Sequence, residues 1–199
     1  MQTQTHTLLA LALLGRRDSP RRNLAVVAGS LVPDLFIYVA WPIYTFALGQ
    51  SQGEFWRETY FSDPLIQASG AVFNSAPLYA ALALAATLVA RGGGRAWATL
   101  VLVFALAALS HVATDLPVHA DDAHRHFWPL TDWRFISPIS YWDPAHYGRW
   151  VGLAEAALGV GLCVVLWRRF AGRWTRAALA VLALGYAALA TRGVLALWP

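Results

Sequence analysis

The stretch "WATLVLVFALAALSHVATDLPVHADDAHRHFWPL", residues 97–130, decides how this chain is read. From Trp97 to Ser110 it carries no charge, which is the composition of a bilayer-spanning helix. From His111 onward it gathers four of the chain's 6 histidines and three of its 11 acidic residues. Imidazoles and carboxylates collected where a greasy helix runs out are the pattern that the rest of the sequence must explain.

The 199 residues are 58% hydrophobic and only 13% charged, with a mean hydropathy of +0.47. That is too apolar for an ordinary soluble domain. The length suits one unit, and residues 1–199 read as a single integral membrane domain. The fold class is all-α: a polytopic bundle of about six helices, joined in part by a long, irregular loop at 115–146. The helical segments run from about Thr3 to Leu14, Pro20 to Leu48, Pro64 to Val89, Arg95 to Thr114, Tyr147 to Trp167 and Trp174 to Trp198. Ser19 and Asp63 are predicted N-caps, each followed by a proline at the first helical position. The N-terminal apolar run precedes its positive charges, the reverse of a signal peptide, so it is expected to persist as a helix. Cys163, the one cysteine, lies in an apolar run and reads as packing.

A formal charge of +4 and a pI near 9.6 raise the question of nucleic acid. Every basic residue is arginine, however, and the arginines lie between hydrophobic segments rather than along one face. This distribution belongs to membrane topology, so the expected partner is the lipid bilayer and not nucleic acid. Arg16, Arg17, Arg21 and Arg22, then Arg91 and Arg95, then Arg168, Arg169, Arg173 and Arg176 fall on one side if each long helix spans. By the positive-inside rule that side is cytoplasmic. The expected setting is a multi-pass protein of a bacterial inner membrane, with residues 49–63 and the 115–146 loop in the periplasm.

Ionisable groups inside spanning helices are costly, ~2.5–3.5 kcal/mol each on insertion scales, and usually face a cavity or a partner. His6, Asp34, His111 and Asp115 are such intruders, as is the polar pair Asn74-Ser75. Counted from the nearest arginine at about 1.5 Å per residue, His6 and Asp34 lie roughly 15 and 18 Å above the inner face, and Asn74 and His111 roughly 25 and 24 Å. One shared pocket, from mid-membrane toward the outer face, fits all of them. His111 and Asp115 are spaced i, i+4 and project from one helix face, so both reach a single cation. The competing reading of that pair is a hydrogen bond that fixes helix packing. Pro33 beside Asp34 weakens the local backbone bonding and predicts a kink.

Beyond the helix, His119, Asp121, Asp122, His124 and His126 lie within eight residues. The i, i+2 spacing of His124 and His126 is not one helical face, so loop or extended chain is expected. These side chains suit a further ligand, a second ion or general acid–base catalysis, against the plainer reading of a solvated loop. The aromatics of "FWPLTDWRFISPISYWDPAHYG" fit an interfacial belt. Glu155 reads most economically as the partner of Arg192, with metal ligation as the minority reading.

These residues, in this order, resemble a family of membrane-bound predicted metal-dependent hydrolases that includes LexA-regulated inner-membrane members. The likeness rests on a histidine near the N-terminus (His6), a "PD" in the second helix (Pro33-Asp34) and an "H-x-x-x-D" in a later one (His111, Asp115). From His119 to Asp143 the chain also matches the tract "HxDDAxxHFWPLTDWxFxSPxSYWD" of a closer subgroup, whose members are often labelled cobalamin-biosynthesis proteins. The wider family tends to have His-Ser where this chain has Asn74-Ser75. Asparagine is a poorer zinc ligand than histidine, which counts against a second metal and full catalytic competence.

The expected function is metal-dependent hydrolysis of a membrane-associated ester, with a lipid or phosphoester as substrate. His6, Asp34, His111 and Asp115 would hold a divalent cation, with His119 as a further ligand and Asp121, Asp122 or His126 transferring protons. Mixed nitrogen and oxygen donors suit zinc, and manganese and iron are the alternatives. The runner-up is a metal- or proton-binding transporter or sensor, and third is a structural bundle glued by its polar residues. A transporter needs acids that continue toward the inner side. The helices show none there, which favours the enzyme.

Overall fold

In a computed structural model, residues 1–93 and 96–195 are described, except for the side chains of residues 192 and 195. Among the described residues there is no strand. The α-helices are α1 (Thr3–Leu14), α2 (Pro20–Leu31), α3 (Leu35–Pro42), the short α4 (Gln52–Glu54) and α5 (Tyr60–Ser62), α6 (Pro64–Phe73), α7 (Ala76–Arg91), α8 (Ala96–Asp115), α9 (Gly148–Arg169) and α10 (Arg173–Leu195). Five helical runs (20–47, 64–91, 96–118, 148–169 and 173–191) are long and apolar enough to cross a bilayer. They mark a membrane protein. Leu24, Leu84 and Val181 leave 70%, 62% and 69% of their surface uncovered, as lipid-facing side chains do. The 12 residues of α1 extend only ~18 Å at 1.5 Å per residue, about half a span.

Two of the spanning runs are interrupted beside a polar residue, and a third ends in a tight turn after Asp115. Between α2 and α3 the chain tightens into a 3-10 turn, Val32–Asp34, because Pro33 has no N–H to donate. Between α6 and α7 the helix stops at Asn74, and Ser75 caps the restart by accepting from Leu78 N–H at 3.2 Å. The sequence predicts one unbroken helix from Pro64 to Val89. Pro77 and the Ser75 cap divide it instead. After α8 a third turn, Leu116–Val118, contains Pro117. Such irregular backbone is tolerated at membrane depth where protein or a cavity covers it.

Asp63 caps α6 as expected, accepting from Leu65 and Ile66 N–H at 2.8 and 3.0 Å. Ser19 precedes Pro20 but makes no cap bond. The turn before α2 is braced instead by Asn23, which exchanges hydrogen bonds with the Arg16 backbone at 2.8 Å each. At the same end, Arg169 donates to the carbonyls of Leu11 and Ala12, the last turn of α1, at 3.0 and 2.7 Å. Arg16, Arg21 and Arg22 share a shallow cavity with Ala96 and Thr99 at the start of α8. The arginine-rich connections therefore gather at one end of the bundle. Arg95 lies outside the described residues.

Helix α1 is wedged among α2, α8 and α9. Leu8 packs with Leu162, Cys163, Leu166 and Tyr186, while Ala10 packs with Val26, Val103 and Ala107. Where α2 crosses α8, a Cβ on Gly29 would stand 2.1 Å from the Phe104 carbonyl oxygen, so only glycine permits this approach. Glu155 accepts from Gln2 N–H at 2.6 Å and Thr5 Oγ1 at 2.5 Å, placing a carboxylate at the positive end of α1. The Arg192 side chain, the partner expected for Glu155, lies outside the described residues.

The 119–143 segment contains no helix, yet it is tied to the bundle. Ala76 N–H donates to the His126 carbonyl at 2.8 Å, and Ser75 Oγ donates to the Trp128 carbonyl. Arg125 donates to the Gln67 carbonyl and Arg134 to Gln67 Oε1, each at 2.8 Å. These bonds fold the loop over the broken ends of the helices.

Candidate metal centre

His6 comes from α1, Asp34 from the turn before α3, and His111 and Asp115 from the last turns of α8. The four meet. His6 Nε2 lies 2.9 Å from Asp115 Oδ1, and His111 Nε2 lies 3.2 Å from Asp115 Oδ2 and 3.5 Å from Asp34 Oδ1. The two imidazoles stack with centroids 3.6 Å apart and planes 14° from parallel. His6, His111 and Asp115 are buried, and their ligand atoms lie within 4.8 Å of one another. Neighbouring ligands ~2.0–2.1 Å from one tetrahedral ion are about 3.3 Å apart, close to the distances found here.

The outer nitrogens are anchored. His111 Nδ1 lies 2.7 Å from the Ser30 carbonyl, which only accepts, so Nδ1 carries the proton. His6 Nδ1 lies 3.0 Å from Thr114 Oγ1, whose hydroxyl is also within reach of the Ser110 and His111 carbonyls at 2.8 and 3.0 Å. Each Nε2 faces an Asp115 oxygen, as an N–H donor where it carries a proton and as a ligand-ready lone pair where it does not. Each contact therefore needs a proton or a cation between its atoms. Protonating both rings would stack two buried cations, a costly arrangement. The Met1 amine lies 2.5 Å from Asp115 Oδ1 and already offers this carboxylate one positive charge. A metal ion would satisfy all four side chains at once, and outer hydrogen bonds that orient imidazoles in this way are the usual support of a metal site. Asp34 is held in turn by Thr3 Oγ1, which accepts from Tyr38 OH at 2.9 Å.

The loop brings more donors. His119 stands between two carboxylates, with Nε2 3.2 Å from Asp115 Oδ1 and Nδ1 2.9 Å from Asp122 Oδ2. Neither contact is aligned as a hydrogen bond. Burial disfavours the charged ring, but Asp115 and Asp122 outweigh it and hold the His119 pKa up at about 9. Burial also opposes ionisation of Asp122, yet His119 outweighs it and keeps that carboxyl below its usual range. Burial, reinforced by His119, pushes His124 down to about 3 and His126 down to about 4, so both are neutral at pH 7.

A cavity of about 450 Å³ opens onto this cluster. Asp34, Asp115, His119, Asp122 and His124 form its polar floor, and Ile37, Tyr38, Trp41, Trp56, Phe61 and Trp142 supply apolar walls. Of the side chains expected to transfer protons, Asp122 lines the cavity, His126 is buried outside the lining, and Asp121 is exposed on the loop. The sequence reading missed the supporting groups: Thr3, Ser30, Thr114 and Trp142, whose Nε1 donates to Asp122 at 3.1 Å. One signal for them exists, the alternating threonines of "TQTHT" around His6. Compared with family models, curated proteins and solved structures, the chain matches none.

Proposed function

We propose that this protein is a membrane-embedded, metal-dependent hydrolase of an amphiphilic ester, with a phosphoester as the favoured substrate. The observation that carries the reading is the buried convergence of His6 and His111 Nε2 on Asp115, with ligand atoms within 4.8 Å of one another and each Nδ1 anchored by a further oxygen. His6, His111, Asp115 and Asp34 would hold the divalent ion, and zinc is the metal best matched to this donor set. When bound, such an ion supplies a Lewis acid that polarises a scissile group and acidifies water. Asp122, with Oδ1 unpartnered beside the cavity, is the proposed proton acceptor. The aromatic and aliphatic walls suit the apolar part of a lipid, while the polar floor receives its head group. The likeness of His6, Pro33-Asp34 and the His111–Asp115 pair to the membrane-bound hydrolases supports the same reading.

The proposed orientation puts the arginine end in the cytoplasm and the cavity on the periplasmic side of a bacterial inner membrane. Asp121 is exposed on the loop, so Asp121→Cys, made with the buried Cys163 replaced, should react with an impermeant thiol reagent in intact cells. Reaction only in inverted vesicles would reverse the orientation. The activity is tested with fluorogenic phosphoester and carboxylic-ester amphiphiles in micelles containing Zn²⁺, Mn²⁺ or Fe²⁺. Cation-dependent turnover that falls at least ~100-fold in His111→Gln is expected. Bound metal without turnover of any substrate would favour the sensor or transporter reading.

A further inference from the structure

The described residues have nine buried side-chain polar atoms with no hydrogen-bond partner, and six of them fall in one place: Asn74 Oδ1, both ring nitrogens of His119, Asp122 Oδ1 and both ring nitrogens of His126. An unmet buried polar group typically costs ~1–3 kcal/mol, so native proteins rarely collect them without a ligand to satisfy them. His126 is 2% exposed and His119 5%, so neither ring has ready access to bulk water.

We propose that His119, His124 and His126, together with Asp115, form a second divalent-cation site beside the first. Ring centroids of His119 and His124 are 5.5 Å apart, and those of His124 and His126 are 5.8 Å apart. Two imidazoles bound at ~2.0–2.1 Å to one tetrahedral ion have centroids about 5–6 Å apart, so these ring positions are compatible with a shared ion, although the ring nitrogens do not converge in the present rotamers. His119 is placed for it. Its Nδ1 lies 2.9 Å from Asp122, the orienting carboxylate, and its Nε2 lies 3.2 Å from Asp115 Oδ1. Asp115 thus touches both sets, with His111 at Oδ2 and with His6 and His119 at Oδ1. A carboxylate shared in this manner is how two ions are kept ~3.5–4 Å apart in two-metal hydrolytic sites. The backbone is already anchored, since Ser137 N–H donates to the His119 carbonyl at 3.0 Å and Ala76 N–H to that of His126 at 2.8 Å. The donors come from the loop, and Asn74 is not among them.

This inference rests on the proposed hydrolase reading in one respect, the substrate's charge. A second divalent ion adds positive charge to a floor that carries the carboxylates of Asp34, Asp115 and Asp122, which favours a phosphoester over a neutral ester.

The test counts metal on the intact protein in detergent. Titrated with Co²⁺ and followed by visible absorption and equilibrium dialysis, the unmodified chain should bind two ions. His124→Gln combined with His126→Gln should bind one, and His111→Gln should lose the other. A single ion on the unmodified chain overturns the second site whether or not any variant folds. If His111→Gln abolishes that single ion and the loop pair leaves it, the first centre stands alone. Two ions unaffected by the loop substitutions also overturn the proposal.

Discussion

The helical and loop halves of this site use the same two groups, imidazole and carboxylate, but hold them differently. His6 and His111 sit on helices, with each Nδ1 bonded to a fixed oxygen and each Nε2 directed at Asp115. His119 and His126 sit in a loop, and neither ring has an aligned partner at either nitrogen. The helical half is therefore organised before a cation arrives, while the loop half depends on the cation for its polar satisfaction. Removing metal should loosen the loop and leave the helices in place.

The largest effect is expected where the halves meet. Asp115→Asn removes the shared charge and should lower cation affinity at both sites by at least ~100-fold. Loss at only one site, measured by equilibrium dialysis, would show that the halves are independent. Gly29→Ala acts at a distance. Its methyl meets the Phe104 carbonyl and would force α2 from α8, disturbing the Ser30 carbonyl that orients His111. Overpacking of this kind costs about 1–3 kcal/mol, readable as a lower Tm in detergent, with weaker binding at the helical site first.

Thr114→Val keeps the shape and removes the hydroxyl that anchors His6 Nδ1. A support of this type is worth ~10–100-fold in metal affinity, and the helical site alone should show it. Asp63→Ala is the smallest change and serves as the control. It removes the α6 cap, costs ~1 kcal/mol and should leave metal content intact. Hydrogen bonding from Tyr44, then from the Ile66 backbone, lowers the Asp63 pKa, so its contribution is present above the unfolded carboxyl value and is lost as pH falls through the folded one. Acid unfolding followed by circular dichroism should show the Asp63→Ala difference vanish at low pH.

The helical half was legible because helices are periodic. The i, i+4 spacing joined His111 to Asp115, and counting from the arginines put His6, Asp34 and His111 at compatible depths. The break at Asn74-Ser75 was hidden by the continuous apolar composition around it. Pro77 marked it only in combination with the Ser75 cap. The loop half depends on long-range ties, such as Arg125 and Arg134 to Gln67, and no local pattern predicts a partner about 60 residues away. Beyond the alternating threonines around His6, Thr114 was silent, since hydroxyl side chains are common in helices and become informative only once their neighbours are known.

The central claim is that His6, His111 and Asp115 bind a cation, and calorimetric titration of metal-free protein with Zn²⁺ tests it most directly. The unmodified chain should show saturable binding, and His111→Gln, folded by the same Tm and size-exclusion criteria, should bind at least ~100-fold more weakly at the helical site. Superimposable isotherms for the two proteins would contradict the claim.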